Sequence, residues 1–258
     1  MNDSGGTGSL DAVGKALRLL VLMGDQPHGV GISELSRSSG FPPSSTHRLL
    51  SSLVRAGFVT LDAETHQYYI GIRVFELGQR VSRERGFGGM AVPSLEQVVA
   101  QTGEAALLGV RVGDEQLFVH TVPSPHPVQI KAEPGTRGPL HCTALGKVLV
   151  GFADEPQRAE LLERLPLDAY TANTITERQA FIAEIERVRE QGFSTALEEH
   201  DVGINAIALP VIDSTGHIVA AVGCAAPASR TGLAELLDFR GPLQDAAQKL
   251  SVLLPRYR

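Results

Sequence analysis

Residues 32–59 have the sequence ISELSRSSGFPPSSTHRLLSSLVRAGFV, whose apolar spacing predicts two short helices joined by a turn. Ser33 is expected to cap the first helix, because a serine oxygen accepts hydrogen bonds from the free N–H groups at a helix start. Gly40 is expected to end it, since glycine adopts the left-handed conformation that closes many helices. Pro42 and Pro43 suit the loop and the first turn of the second helix.

The second of these helices, which Gly57 ends, has a polar face unlike an ordinary solvent-exposed one. Its apolar face consists of Thr46 (by its methyl group), Leu49, Leu50, Leu53 and Val54. Its opposite face consists of Ser44, Ser45, His47, Arg48, Ser51, Ser52 and Arg55, without a carboxylate. Short polar side chains allow close approach to a DNA duplex, and arginine binds phosphates or the edge of guanine. The alternative is an exposed, serine-rich helix with no role in binding.

The elements on either side extend this pair of helices into a larger motif. An earlier helix is predicted from apolar residues at helical spacing, namely Leu10, Val13, Leu17, Leu20 and Val21. Two short strands follow the pair, Phe58–Leu61 and Tyr68–Ile70, around a polar turn. Three helices and a hairpin in this order predict a winged helix-turn-helix, whose recognition helix enters the major groove of DNA. The candidate DNA-binding residues are Arg37, Ser44, Ser45, His47, Arg48, Ser51 and Arg55, with His66 near the wing tip.

The distribution of charge agrees with this interpretation. The chain of 258 residues has a net charge of −6, but its first 86 residues hold nine Lys and Arg against eight Asp and Glu. From Arg37 to Gly57 there are three arginines and no acidic residue. Because phosphate attraction needs a local basic face, the overall negative charge does not exclude a nucleic-acid partner.

Composition indicates a globular, cytoplasmic protein. Hydrophobic residues make up 43 % of the chain and charged residues 20 %, which is typical of a protein with a real core. No segment approaches the run of about 20 apolar residues that crosses a bilayer. Residues 1–9 lack the features of a signal peptide and are predicted to be a disordered lead-in. Two cysteines, Cys142 and Cys224, are too few for a disulfide framework and lack zinc-ligand spacing, so we expect no metal or cofactor.

The remainder of the chain is predicted to be an α+β domain with a mainly antiparallel sheet. A linker helix over residues 72–86 separates the DNA-binding domain, 10–71, from this second domain, 87–258, with the break at Gly86–Gly89. The predicted helices are Ala91–Thr102, Thr143–Phe152, Glu177–Gln191 and Glu235–Leu254, the last one interrupted at Gly241–Pro242. The predicted strands are Glu104–Val112, Gln116–Val122, Pro127–Ala132, Ser194–Leu197, Ala206–Ile212 and Ile218–Ala225.

Three segments resemble the IclR family of bacterial regulators. They are residues 32–59, GPLHCTALGKVLVGFA (Gly138–Ala153) and EEHDVGINAIALPVIDSTGHIVAAVGCAAPASR (Glu198–Arg230). The resemblance extends from about Ser9 nearly to the end of the chain. It implies a GAF-like effector-binding domain, a homodimer or dimer of dimers, and control of an operon, here expected to be repression, by a small-molecule effector.

Oligomerisation is also expected from the DNA-binding motif itself. One recognition helix covers too few base pairs for useful specificity, so we expect at least a dimer on a pseudo-palindromic operator. The expected contact is the apolar stripe Val74, Leu77, Gly78 and Val81 of the linker helix, with the first helix beside it.

The segment Gly138–Lys147 lacks the spacing of a phosphate-binding loop, but it predicts a loop-to-helix corner. Free N–H groups near Cys142–Leu145 would hold an anionic or polar ligand there, unless the corner serves packing alone. The resemblance places Asp201 and Asn205 near the effector cavity. It also places the small apolar residues Ala206, Gly223 and Ala225 there, which favours a bulkier or more apolar effector than a small organic acid. The candidate effector-binding residues are Leu140, Cys142, Ala144, Leu145, Asp201, Asn205, Ala206, Gly223 and Ala225.

Other functions remain open at this stage. Cys142 beside His141 suggests a Cys-dependent hydrolase with an appended DNA-binding module, but no nucleophile, base and orienting group are recognisable together. A buried pocket cysteine is the simpler interpretation. The histidines are scattered without ligand spacing, which disfavours a metal site. A second domain that only oligomerises is the remaining alternative.

Overall fold

The computed structural model describes residues 10–84, 89, 91–130 and 132–254. The chain divides into two compact units between Val81 and Ser82. The predicted disordered lead-in, residues 1–9, and the predicted end of the linker helix, residues 85 and 86, lie outside the described residues. No helix in the described ranges is both long enough and apolar enough to traverse a bilayer.

The first unit has the element order that the sequence predicts. It contains α1 (Ala12–Gly24), α2 (Ile32–Ser39), α3 (Pro43–Arg55), β1 (Val59–Leu61), β2 (Tyr68–Ile70) and the start of α4 (Ile72–Glu84). The three helices pack around a core that includes Leu19, Met23, Leu35 and Leu50, and β1 pairs with β2 in an antiparallel hairpin. This is a helix-turn-helix unit with a β-hairpin wing.

The capping prediction for α2 is half wrong. Gly40 ends the helix in the left-handed conformation, with φ of 73°, as expected. Ser33, however, is the second residue of the helix, because the helix already begins at Ile32 after Gly31. The helix therefore starts directly after Gly31, which has no side chain to cap it, and Ser33 does not act as the cap.

The second unit is built on one six-stranded sheet. Its elements are α5 (Val92–Thr102), β3 (Ala105–Val112), β4 (Glu115–Val122), β5 (Arg137–Pro139), α6 (Ala144–Gly151), α7 (Glu155–Arg164), α8 (Arg178–Gln191), β6 (Ser194–Leu197), β7 (Ile204–Ile212), β8 (Ile218–Pro227), α9 (Leu233–Asp238) and α10 (Arg240–Leu253). The strand order is β5-β4-β3-β8-β7-β6, and every pairing among these strands is antiparallel.

Each face of the sheet has its own core. Residues such as Leu108 and Val222 pack with α5 and α10 on one face. Residues such as Leu107, Ala208 and Ala225 pack with α6 and α8 on the other. This division follows from the alternation of side chains along a strand, and it leaves the sheet as the middle of three layers.

Two predicted elements of this unit are corrected, and α7 is an addition to the prediction. Residues 127–130 form no strand; the strand next to β4 is instead β5, where Glu115 pairs with Pro139. Val128 lies in an exposed loop, where its carbonyl oxygen accepts a hydrogen bond from Arg230. The C-terminal helix is interrupted at Phe239, one residue before α10 begins. Pro242 lies in the first turn of α10, where a missing N–H costs no helical hydrogen bond. Helix α7 was not predicted.

The outer strand β6 covers only part of its neighbour. It pairs with Asn205–Ala208 of β7, from Leu197↔Asn205 to Ser194↔Ala208. Residues 209–212 at the other end of β7 pair with β8 alone, and they include Pro210.

Candidate functional site

Helix α3 presents the polar face that the sequence predicts. Ser44, His47, Arg48, Ser52 and Arg55 are exposed, whereas Ser45 and Ser51 are half-buried. Thr46, Leu49 and Leu50 are buried on the opposite side. Arg37 on α2 is also exposed. None of these three arginines forms an ion pair within the described parts of the chain, so their guanidinium groups are available to an external anion.

The turn between α2 and α3 is held by hydrogen bonds. The Ser36 hydroxyl donates to the carbonyl oxygen of Phe41 over 2.6 Å, and the N–H of Phe41 donates to Oγ of Ser39 over 3.2 Å. Oγ1 of Thr46 donates to the carbonyl oxygen of Pro42. Because the N–H and the carbonyl oxygen of Phe41 are both hydrogen-bonded within the turn, the turn fixes the direction of α3 relative to α2.

The wing is short and carries an internal carboxylate. Oδ1 of Asp62 accepts from the N–H groups of Glu64 and Thr65 over 2.8 and 3.1 Å. These backbone N–H groups lower the pKa of Asp62. His66 is exposed and has φ of 55°, a left-handed conformation in a residue other than glycine. The turn therefore presents the His66 imidazole at its tip, while the Asp62 carboxylate is engaged by backbone N–H groups of the turn itself.

The second unit contains a cavity of about 460 Å³ between the sheet and the start of α6. Most of the lining is apolar and includes Leu107, Phe118, Ile130, Ala132, Ala144, Leu145, Ala196, Ile204, Ala206 and Ala225. The polar lining residues are Gln116, Gln129, Thr136, Arg137, Thr143, Glu199, His200 and Asp201. An apolar cavity with a few polar groups is the usual composition of a small-molecule site.

The start of α6 contributes hydrogen-bond donors to this cavity. Thr143 caps the helix, since its Oγ1 accepts from the N–H of Gly146 over 3.1 Å and lies 2.9 Å from Oε1 of Gln116. The N–H groups of Ala144 and Leu145 have no acceptor among the described residues. A β-carbon at Gly146 would lie 2.4 Å from the carbonyl oxygen of Leu140, so glycine is required where the loop crosses the helix.

Seven of the nine predicted effector residues line the cavity: Cys142, Ala144, Leu145, Asp201, Ala206, Gly223 and Ala225. Two predicted residues do not. Leu140 is buried in the core against α6 and α8 and borders a separate groove beside His141. Asn205 is buried, and its Nδ2 donates to the carbonyl oxygen of Thr231 over 2.9 Å. Because Ala206 faces the cavity, its neighbour along β7 must face the other side of the sheet.

A buried ion cluster behind the cavity was missed by the sequence analysis. Nζ of Lys147 is fully buried and donates to Oε1 of Glu184 over 2.9 Å and to Oε1 of Glu199 over 2.7 Å. Arg187 donates to Oε2 of Glu184 over 2.5 Å. A lysine within the apolar helix ALGKVLVG was the available signal, because a buried ammonium requires a partner.

Glu199 connects this cluster to the cavity. Burial raises the pKa of its carboxyl group, and the Lys147 ammonium acts in the opposite direction. Its Oε1 is held by Lys147, whereas its Oε2 is buried without a hydrogen-bond partner in the described structure.

The rim of the cavity carries an aromatic pair. Tyr170 and His200 stack with ring centroids 4.8 Å apart, and Nδ1 of His200 lies 2.6 Å from Oδ2 of Asp201. His200 lines both the cavity and the neighbouring groove. The polar end of the cavity therefore lies beside this pair.

Cys142 does not have the environment of a nucleophile. Burial, together with the negative charge of Glu199, raises the pKa of its thiol to about 12. Nε2 of His141 lies 3.0 Å from the carbonyl oxygen of Asp168, and burial lowers the pKa of that imidazole. A reactive cysteine needs a lowered pKa, so the hydrolase alternative loses its chemical basis. Within the described residues, no cluster of His, Cys, Asp and Glu has the arrangement of a metal site.

Comparison with known proteins covers both units. The profile of the IclR helix-turn-helix domain matches residues 12–63, and that of the bacterial transcriptional regulator IclR C-terminal domain matches residues 84–252. The chain is 29 % identical to the transcriptional regulator KdgR of Escherichia coli, over 94 % of this chain and 92 % of that one. It is 30 % identical to the transcriptional repressor AllR of Salmonella typhimurium, over 86 % of this chain and 82 % of that one.

Solved structures with the same fold include an IclR transcriptional regulator from Alicyclobacillus acidocaldarius. The TM-score is 0.83 at 26 % identity, with 95 % of this chain and 98 % of that one covered. An IclR homologue from Microbacterium hydrocarbonoxydans, in complex with 4-hydroxybenzoate, has a TM-score of 0.82 at 22 % identity, covering 95 % of this chain and 99 % of that one.

Proposed function

Because the chain belongs to the IclR family of bacterial transcriptional regulators, we propose that it is a cytoplasmic repressor whose affinity for operator DNA is changed by a small molecule in the cavity. The observation that carries this proposal is the mainly apolar cavity in a chain that also presents an exposed, acid-free face on α3. Relatives are named as transcriptional regulators and repressors, so the chain is a regulator and not an enzyme.

In this proposal, α3 is the recognition helix. Arg48 and His47, with Ser44, Ser45 and Ser51, contact base edges and the adjacent backbone. Arg55 at the end of α3 and Arg37 on α2 contact phosphates, and His66 approaches the DNA from the wing. The exposure of both arginines at the two ends of the motif supports this division of roles.

A homodimer on a pseudo-palindromic operator follows from the exposed apolar residues of α1 and α4. Helix α1 exposes Val13, Leu17 and Val21, with Leu10 exposed just before it, and α4 exposes Ile72, Val74, Phe75, Leu77 and Val81. No residue of α4 is buried within the chain. Apolar surface of this extent marks an interaction site, and a second copy provides the second recognition helix that a two-fold operator requires. A dimer of dimers would extend the same arrangement.

The proposed effector is small and largely apolar, with polar groups at its ends. Ala206, Gly223 and Ala225 leave volume beside the sheet, while the free N–H groups of Ala144 and Leu145 donate hydrogen bonds to an anionic or polar end. The homologue from Microbacterium hydrocarbonoxydans was crystallised with 4-hydroxybenzoate, a molecule of this general kind, which supports the proposal. To switch DNA binding, the effector must bind two states of the dimer unequally, typically by about 1–3 kcal/mol.

The proposal is tested by selecting genomic fragments with the purified protein, sequencing them, and measuring repression from the enriched promoter. We expect an inverted repeat and lower reporter expression. The metabolites on which the products of the operon act are then tested in a gel-shift assay with wild type and Ala225→Phe. The added ring fills the cavity, so the variant should bind the operator normally and ignore the metabolite that releases wild type.

Val202→Phe adds the same ring at a residue that is 79 % exposed and serves as the matched control, which should respond as wild type does. A normal response in Ala225→Phe would locate the effector elsewhere. Activation of the reporter would refute repression.

A further inference from the structure

The connection between β4 and β5, residues 123–136, forms part of the cavity wall. Its residues Gln129, Ile130, Ala132 and Thr136 line the cavity, although the described part of the connection lies in neither helix nor strand. The prolines at positions 123, 125 and 127 lack the N–H that sheet pairing needs. This part of the wall is therefore not held by the sheet ladder, and its position depends on other contacts.

Residues 124–130, called the strap below, are tied to one corner of the second unit. Oγ of Ser124 donates to the carbonyl oxygen of Gly103 over 2.7 Å. Nη1 of Arg230 donates to the carbonyl oxygen of Val128 over 3.1 Å. Among the described residues, no other hydrogen bond joins residues 125–130 to the chain outside the strap. The contact of Arg230 is thus the one polar tie on the part of the strap that reaches the cavity.

Arg230 can hold the strap because Glu104 holds Arg230. Nε and Nη2 of Arg230 donate to the two carboxylate oxygens of Glu104 over 2.5 and 2.6 Å, and the Glu104 side chain is only 5 % exposed. This side-by-side pair fixes the plane of the guanidinium group and directs the remaining Nη1 toward Val128. Glu104 directly precedes Ala105 of β3, which pairs with Ala225 in the cavity wall. The strap is therefore fastened to the middle of the sheet that the cavity adjoins.

We infer that Arg230 is a positioning residue of the effector site, which holds the strap so that Gln129 and Ile130 stay against the cavity. The inference rests on the proposed function, because it assumes that the cavity is the effector site. Gln129 directly follows Val128, so the carbonyl group that Arg230 binds belongs to the peptide bond of the first lining residue of the strap. Without this contact the strap opens more easily, and a bound molecule is released sooner.

Arg230→Lys separates positioning from stability. Lysine keeps a positive charge beside Glu104, so the buried carboxylate is not left without a counter-charge. A single ammonium group lacks the planar fork that pairs with Glu104 and donates to Val128 at the same time. Arg158→Lys is the matched control. Nη1 of Arg158 also donates to a carbonyl oxygen, that of Ala153 over 2.9 Å, and neither residue lines the cavity.

The mobility of the strap is measured by electron paramagnetic resonance, with a nitroxide on Val128→Cys in the full-length protein. Val128 is 67 % exposed, so the label fits there without displacing the backbone. Burial raises the pKa of both native thiols, Cys142 and Cys224, to about 12, so the reagent reacts with the introduced cysteine. Adding Arg230→Lys should narrow the spectrum, because the strap moves faster, whereas adding Arg158→Lys should not. An unchanged spectrum with Arg230→Lys would overturn the inference.

The release of a bound molecule is measured with anilinonaphthalene sulfonate, a fluorescent probe whose apolar rings and single anionic group suit a mainly apolar cavity with few polar groups. Stopped-flow dilution gives its dissociation rate, and urea unfolding gives the stability of each variant. In Arg230→Lys the dissociation rate should rise about tenfold, the expected effect of losing one hydrogen bond from a charged group. The urea midpoint should change no more than it does in Arg158→Lys.

A wild-type dissociation rate in Arg230→Lys, or an equal rise in Arg158→Lys, would also contradict the inference. Ala225→Phe separates these results from failure of the proposed function. If wild type binds no probe, or Ala225→Phe binds it unchanged, the cavity is not the site that both proposals assume, and they fail together. If Ala225→Phe abolishes binding while Arg230→Lys releases the probe as wild type does, only the role of Arg230 is wrong.

Discussion

Gly223 on β8 lies so close to Ile207 on β7 that a β-carbon on the glycine would stand 2.5 Å from the carbonyl oxygen of Ile207. The added β-carbon would also lie 3.1 Å from the β-carbon of Ala208, the residue that pairs with Gly223 across the two strands. From the sequence, Gly223 is expected to be a small residue that leaves room for a ligand. The structure adds a second reason for glycine, since the two strands approach too closely for any side chain.

Gly223→Ala should therefore lower the free energy of unfolding by about 1–3 kcal/mol, the usual cost of overpacking a well-packed interior. Urea unfolding followed by circular dichroism measures the change. Gly24→Ala, at the exposed last residue of α1 where the added carbon meets open space, is the control and should be neutral or slightly stabilising. Equal stability of Gly223→Ala and wild type would show that the strands relax apart without cost.

Arg48 and Arg55 should differ in their effects on DNA binding. Arg48→Ala should weaken binding to the operator by about 1–3 kcal/mol and relax its discrimination, because a base contact is lost. Arg55→Ala should weaken binding to all sequences alike and reduce the salt dependence, because a phosphate contact is lost. Gel-shift titrations on specific and random DNA at several salt concentrations distinguish the two. Unchanged affinity in both variants would remove α3 as the recognition helix.

Phe75→Glu should disrupt the proposed dimer. Phe75 is 60 % exposed on a helix that buries no residue within its own chain, so a carboxylate there would have to be desolvated in the interface. We expect the dissociation constant to rise at least about tenfold, equivalent to about 1.4 kcal/mol, in light scattering across a concentration series. Val252→Glu, at a residue of α10 that is 86 % exposed, should leave the dimer intact. A wild type that is monomeric at micromolar concentration, free and on DNA, would contradict the assembly itself.

Glu199 should make the stability of the protein depend on pH in a defined direction. Burial raises its pKa in the folded chain above the ordinary value of 4.5, so the folded state holds this proton more tightly than the unfolded state does. Its contribution to stability is complete below pH 4.5 and is lost as the pH rises through the folded pKa. The stability of wild type relative to Glu199→Gln should therefore fall from acid to neutral pH in urea titrations. A relative stability that rises with pH would mean that Lys147 outweighs the burial.

The first unit could be predicted from the sequence almost element by element, because local residues set its boundaries. Gly40 and the prolines at 42 and 43 mark the turn before α3, and the alternation of α3 between apolar and polar residues defines its faces. The exception, Ser33, shows the limit of this reasoning, since a helix can begin without the side-chain cap that the sequence offers.

The second unit depends on contacts that sequence patterns do not contain. Val128 and Ile130 alternate with polar residues, as is typical of a strand, yet the strand beside β4 is the Arg137–Pro139 segment. Asn205 and Ala206 are both predicted to line the cavity, but neighbours along a strand face opposite sides of the sheet, so only Ala206 lines it. The cluster around Lys147 joins residues from three distant segments. The sequence alone therefore indicates only that a charged residue lies within an apolar helix.

The partial cover of β7 by β6 also bears on how the protein avoids self-association through its sheet. An uncovered strand edge offers free N–H and C=O groups on which another chain can add a strand and start a fibril. Here the outer strand is four residues long, and the part of β7 that extends past it contains Pro210, which has no N–H to offer. Proline is tolerated in a sheet at such an edge, where it interrupts the ladder that an incoming strand would need. We expect its replacement to open that edge to strand addition, an effect on solubility that is independent of α3 and of the cavity.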